Sequence, residues 1–217
     1  MKRLFYVLIT LVTAATLFSG CSEKTAHTKG VYMLLDTSGT YTEELVKAQQ
    51  IINYILANMN PGDTFAVSRI DTGSFSEKDI LAKVTFDDRP SVTNEQKRAF
   101  RQKIDEYVKT VKSSVYTDVS GGLLQAVEYL NEADPAEKTV IIFSDMKEEL
   151  KPGYKRDFPI QLGGFKVIAT NVIKLRSDIK DPTEYLGRLD MWKKKVEAGG
   201  GDWVVINDLE RLEPIFK

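Results

Sequence analysis

Val31-Tyr32-Met33-Leu34-Leu35-Asp36-Thr37-Ser38-Gly39-Thr40 is the stretch from which the rest of this chain can be read. Five apolar residues in a row, ending on turn formers, suit a strand buried on both faces of a parallel sheet. Asp36, Ser38 and Thr40 then stand where that strand gives way to the next helix. Oxygen donors at alternate positions of a tight loop are what a hard divalent cation such as Mg²⁺ requires.

Outward from this stretch, strand-like and helix-like patterns alternate. Glu43–Asn58 carries Leu45, Ala48, Ile51, Ile52, Ile55 and Leu56 at the spacing of a one-faced helix. Asn60-Pro61-Gly62-Asp63 is a turn, and Thr64–Ile70 reads as the second strand. Leu81–Phe86 reads as an edge strand. Thr93–Val111 reads as a helix, opened by a capping box of Thr93 and Gln96. Another helix, Leu123–Leu130, follows Gly121-Gly122. Thr139–Phe143 and Lys166–Ile173 are β-branched central strands. Pro182–Ala198 is the last long helix, and Gly199-Gly200-Gly201 turns it into Trp203–Ile206. This order predicts an α/β fold, a doubly wound and mostly parallel sheet with helices on both faces.

Two further loops carry chemistry. Val115-Tyr116-Thr117-Asp118-Val119-Ser120 leads into a helix, and Ile141-Ile142-Phe143-Ser144-Asp145 ends a strand on a carboxylate. In an open α/β sheet the carboxyl ends of neighbouring strands converge on one crevice. Asp36-x-Ser38-x-Thr40 resembles the D-x-S-x-S metal-ion-dependent adhesion site of von Willebrand factor A (vWA) domains. Thr117-Asp118 resembles their second metal loop, Ser144-Asp145 the third, and Pro61-Gly62-Asp63 before a strand is similar to them as well. The resemblance runs from about Val31 to Ile206. It implies a Mg²⁺ or Mn²⁺ site made by Asp36, Ser38, Thr40, Thr117 and Asp145, with a protein partner's acidic side chain completing the coordination. It also implies a partner rim, for which Tyr41, Tyr116 and Met146 are the candidates. Thr40 replaces the usual second serine, and Met146 stands where glycine is common.

Each loop has a plainer reading. Thr40-Tyr41-Thr42-Glu43 suits a capping box, Thr117 or Ser120 an N-cap, and Asp145 the cap of a turn at Met146–Leu150. The metal reading explains three loops together, whereas each cap explains one. Asp118 is expected to cap or support rather than to ligate. Lys193-Lys194-Lys195 reads as a solvated helix face and Glu148-Glu149 as surface. Phe158, Pro159 and Leu162–Phe165 read as a packed loop.

An enzyme is the main competitor. A strand ending in Asp36, with Thr40 four residues on, also resembles the D-x-D-x-T motif of haloacid-dehalogenase phosphatases. Ser38 replaces their second acid, the proton-transfer group. The chain's one histidine, His27, lies near the N-terminus, which leaves Ser-His-Asp and Cys-His chemistry without residues. The expectation is a non-enzymatic domain. A metal-free vWA-like assembly scaffold is the other alternative.

The N-terminus carries a separate message. Met1-Lys2-Arg3 is basic, Leu4–Phe18 is uncharged, and Ser19-Gly20-Cys21 follows. That order describes a secretory signal, too short to span a bilayer as a stable helix. It resembles a bacterial lipoprotein signal cleaved before a diacylated Cys21, although Phe18 occupies a position where leucine is usual. Cys21 is the chain's one cysteine, so no internal disulfide can form.

The expected division is residues 1–20 as signal, 21–29 as tether and 30–217 as the vWA-like domain. The resemblance implies a cell-envelope location through a lipid anchor, at the outer membrane if the host is diderm. Of 30 basic and 31 acidic residues, the signal takes Lys2 and Arg3 and no acid. The remaining charges are interspersed, which offers nothing to nucleic acid.

Overall fold

The structure, a computed structural model, describes residues 27–39, 41–71, 76–208 and 211–212, the side chains of 41–43, 176 and 177 excepted. Six strands form one sheet: β1 (Lys29–Leu35), β2 (Thr64–Arg69), β3 (Ile80–Thr85), β4 (Glu137–Phe143), β5 (Phe165–Thr170) and β6 (Asp202–Val205). Their order across the sheet is β3-β2-β1-β4-β5-β6. Every neighbouring pair is parallel except β2 and β3. The helices are α1 (Tyr41–Asn58), α2 (Pro90–Thr110), α3 (Val119–Ala133), the short α4 (Arg176–Lys180) and α5 (Pro182–Ala198).

Successive side chains of a strand point to opposite faces, and the core obeys that rule. Val31, Met33 and Leu35 of β1 join α1 and α2 in one apolar cluster, with Ile52, Ile55, Phe100 and Ile104. Tyr32 and Leu34 join α3 and α5 on the other face, with Leu123, Leu130, Trp192 and Val196. A strand buried on both faces has no room for a polar alternate, which is why Val31–Leu35 is apolar throughout.

The chain winds from β1 outward to β3 and then returns to place β4 on the other side of β1. The strand order therefore reverses between β1 and β4, and a crevice opens at their carboxyl ends. At the opposite pole Asp63 is buried and accepts from the backbone N–H groups of Lys29 and Asn60, both at 2.7 Å. That contact ties the start of β1 to the Pro61-Gly62 turn.

Some boundaries differ from expectation. α2 begins at Pro90, with Arg89 as its N-cap. Proline at the first helical position is preorganised for the turn. Thr93 lies inside that first turn, donating to the Asp87 and Arg89 carbonyls, while Gln96 Oε1 accepts from the Asp87 N–H. The two do not form a capping box. α3 begins at Val119, four residues before Leu123. Its Gly121 and Gly122 are thus helical, and Gly122 permits a close approach. A Cβ there would meet Ile70 Cγ2 at 2.5 Å and Leu34 Cδ2 at 3.1 Å.

Candidate metal site

Asp36 leaves the end of β1 and is fully buried. Its backbone N–H donates to the Phe143 carbonyl, which sets the loop directly against the end of β4. Asp36 Oδ1 accepts from the Ser38 backbone N–H at 2.9 Å, from Ser38 Oγ at 2.6 Å and from Thr117 Oγ1 at 3.4 Å. Asp36 Oδ2 accepts from Ser144 Oγ at 2.6 Å. Thr117 Oγ1 also donates to Ser38 Oγ at 2.9 Å. Residues from three distant loops thus meet around one carboxylate.

Asp145 is 8 % exposed, and its Oδ1 accepts from the Lys147 N–H at 2.7 Å. Burial pushes its pKa up to about 6, the Lys147 N–H partly opposing and the nearby Asp36 charge reinforcing the rise. Burial also raises Asp36, against the hydrogen bonds from Ser144, Ser38 and Thr117. Two buried carboxylates, one close enough to raise the other, favour a positive charge beside them.

Ser38, Thr117 and Asp145 line an open cavity of about 370 Å³, together with Gly39, Ser114, Val115, Lys147, Glu149 and Leu175. Val115 at its edge is 72 % exposed. Among the described residues no group of three or more His, Cys, Asp and Glu side chains is arranged to hold a metal. A donor set here is instead two carboxylates and two hydroxyls, all oxygen. That chemistry fits Mg²⁺ or Mn²⁺, which accept mixed carboxylate, hydroxyl and water ligation, better than a thiolate- or imidazole-seeking ion.

The structure brings Asp36, Ser38, Thr117 and Asp145 to one place. Thr40 and Cys21 lie outside the described residues, as does the side chain of Tyr41. Tyr116 is half-buried beside the cavity loop. Met146 is a correction: it is fully buried in the α3–α5 cluster and offers nothing to a rim. Its backbone has φ 67°, an uncommon conformation for a residue with a side chain. Asp145 caps no helix, because residues 146–150 contain none.

Asp118 caps and supports as expected; its Arg156 partner and several other supports escaped the sequence reading. Asp118 caps α3 through the Gly121 N–H and takes Arg156 in a bidentate pair, at 2.5 Å from Nη2 to Oδ2. Glu148, expected at the surface, accepts from the Ser120 N–H at 2.7 Å. Arg188 of α5 donates from Nε to the Asp145 carbonyl and pairs with buried Asp178. Lys195 Nζ reaches Ser120 Oγ, whereas Lys193 and Lys194 stay exposed in helical ion pairs. Only the short, oxygen-rich ligand loops had a recognisable pattern. Arg156 and Arg188 stand 38 and 43 residues from their partners.

No protein-family model matches the sequence, and no curated protein does. Solved structures do match. A von Willebrand factor type A protein from Catenulispora acidiphila superposes with a TM-score of 0.57 at 18% identity, over 88% of this chain and 42% of that one. The chain has a vWA fold. The open conformation of the pilus adhesin SpaC from Lactobacillus rhamnosus GG superposes with a TM-score of 0.53 at 11% identity, covering 88% of this chain and 29% of that one. The present chain spans less than half the length of either protein. What the vWA likeness carries is the fold, whose six-stranded sheet places the three loops on one crevice.

Proposed function

We propose that this chain is a lipid-anchored, exported vWA domain that captures a protein partner through a divalent cation, Mg²⁺ or Mn²⁺. Asp36, Ser38, Thr117 and Asp145 hold the cation, with Thr40 as the further donor that the motif supplies. The observation that carries the reading is that buried Asp36 Oδ1 lies within hydrogen-bond distance of Ser38 Oγ and Thr117 Oγ1, two residues that line an open cavity. A bound cation supplies a Lewis-acidic position able to accept a partner's carboxylate. The protein's own residues position that cation and exclude water behind it, since Asp36 is fully buried.

Recognition rather than turnover suits the donor set. Asp36 is engaged by three hydroxyls and a backbone N–H, and no histidine stands among the cavity residues. With Asp36 and Asp145 taken as cation ligands and Glu149 paired with Lys147, no cavity carboxylate is left over to act as a general base. The pilus adhesin among the fold's other bearers lends support to a binding role. Exposed Val115, with Leu175 and Lys147, supplies the rim in place of Met146.

The anchor fits this arrangement. β1 starts at Lys29, seven residues and about 20 Å along the strand from the metal loop. A lipid on Cys21 would hold the opposite pole near the bilayer and point the cavity away from it. Among the described residues no helix is long and apolar enough to cross a membrane.

The test is capture from the native envelope. Wild-type protein should retain a partner in Mg²⁺ and release it in EDTA. Ser38→Ala and Thr117→Ala should weaken capture and leave the fold intact. Hydrolysis of a phosphate ester that depends on Asp36 would instead promote the phosphatase.

One observation favours the metal-free scaffold as second reading. The Ser38 and Thr117 hydroxyls already satisfy Asp36 Oδ1 by hydrogen bonding. Capture indifferent to EDTA would select it.

A further inference from the structure

We propose that Asp71, which follows β2 and does not line the cavity, is a positioning residue that sets two of the ligand loops at once. The proposal rests on the cation reading above. In the loop after β1, Asp36 and Ser38 face one another, and Thr37 between them is fully buried. Its hydroxyl donates to Asp71 Oδ2 at 2.6 Å. The backbone of Asp71 serves the second loop, its carbonyl accepting from Ser114 Oγ at 2.6 Å. Ser114 Oγ in turn accepts from the Tyr116 N–H at 3.1 Å, one residue before Thr117.

The two loops are also stitched to each other. Ser114 N–H donates to the Thr37 carbonyl at 3.3 Å, and Gly39 N–H to the Ser114 carbonyl at 3.1 Å. These backbone contacts join the loops to each other, while the Asp36 N–H bond to the Phe143 carbonyl ties the first of them to β4. Asp71 adds a side-chain tie to this pair of loops from just past the end of β2, the strand next to β1. Its neighbour Ile70 donates to the Leu35 carbonyl and accepts from the Asp118 N–H at 2.7 Å. Asp71 is 6 % exposed, and its Oδ1 lies 3.6 Å from Arg69 Nε, an ion pair beside the Thr37 contact. Arg69 is shared with Asp79 at 3.3 Å.

The Thr37–Asp71 bond thus fixes the angle at which Asp36 and Ser38 meet Thr117. Partners that orient ligands in this way typically govern metal affinity by about 10- to 100-fold. Nothing in the D-x-S-x-T pattern points to it, since Thr37 occupies a variable position of that motif.

The test measures Mn²⁺ dissociation constants by calorimetric titration on full-length protein, well below the melting temperature, beside metal-free melting curves. Thr37→Val, which keeps the shape and removes the donor, should weaken Mn²⁺ binding about 10-fold or more. Thr37→Ser should restore it, and Asp71→Ala should behave as Thr37→Val. If Asp71→Ala does not fold, the two Thr37 variants decide. A purely structural role would lower the metal-free melting temperature of Thr37→Val and leave its Mn²⁺ constant at the wild-type value, which would overturn the proposal. Wild-type protein that binds no Mn²⁺ would remove the site itself, and with it any role for Asp71 there.

Discussion

Trp192 Nε1 donates to the Met146 carbonyl at 2.8 Å, joining helix α5 to the residue that follows Asp145. Both side chains are fully buried, and Met146 sits at φ 67°. A left-handed backbone at a residue with a Cβ costs of order 1 kcal/mol and persists only where its surroundings hold it. Here Trp192 holds the carbonyl, Ser144 Oγ accepts from the Met146 N–H at 3.0 Å, and the core holds the side chain. The third ligand loop is therefore braced from behind. Trp192→Phe should cost about 2 kcal/mol through lost volume and an unpaired carbonyl. Met146→Gly should relieve the backbone yet still lower stability, because the vacated volume outweighs the strain. Denaturant unfolding measures both, and a stabilised Met146→Gly would contradict the packing role.

Asp118 is buried with Arg156 as its charge partner, their side chains 3% and 13% exposed. Removing one member of a buried pair leaves an uncompensated charge and costs about 3 kcal/mol. Arg156→Ala should lose about that much in denaturant melts. Arg156→Lys should recover only part, since an ammonium cannot reproduce the bidentate fork. An Arg156→Ala protein as stable as wild type would show that the contact carries no weight.

The place of Gly122 against Ile70 and Leu34 predicts a steric cost. Gly122→Ala removes helix-interior glycine from α3, a gain of about 0.5–1 kcal/mol in open space. The clash at 2.5 Å with Ile70 Cγ2 should outweigh it and leave a net loss of about 1–2 kcal/mol. Thermal melting decides, and a rise in melting temperature would mean that α3 can withdraw from the sheet freely.

Asp145 supplies the pH dependence. Its folded pKa is raised to about 6, above the ordinary carboxylate value near 3.9. Between those values the metal-free folded protein binds more protons than the unfolded chain. This group's contribution is therefore full below about pH 4 and lost as pH rises through about 6. A cation competes with that proton, so the gain in melting temperature from Mg²⁺ should be larger at pH 7.5 than at pH 5. An equal gain at both would place Asp145 outside the site.

The architecture was legible because both decisive signals are local. Val31–Leu35 can be read as a doubly buried strand from five adjacent residues, and helix α1 from the spacing of Leu45 to Leu56. The candidate site was legible where short polar loops follow such strands, as at Asp36, Ser38 and Asp145, which the fold brings to one place. Bracing contacts were not, because Thr37–Asp71, Asp118–Arg156 and Trp192–Met146 join residues brought together only by the tertiary fold. Met146 was misplaced for the same reason. Its position after a ligand suggested a rim, whereas the positive φ turns its side chain into the core. Thr93 shows a different failure, a competing signal: Pro90 had already marked the first turn of α2.

The most direct measurement is the melting temperature of wild-type and Ser38→Ala protein in Mg²⁺ and in EDTA at neutral pH. A cation that binds the native state alone, at about 100 times its Kd, stabilises by about 2.7 kcal/mol. For a chain of this size that is a rise of roughly 5–10 °C. Wild type should show that rise and lose it in EDTA, and Ser38→Ala should show little of it at the same Mg²⁺. A wild-type curve unmoved by millimolar Mg²⁺ or Mn²⁺ would contradict the account.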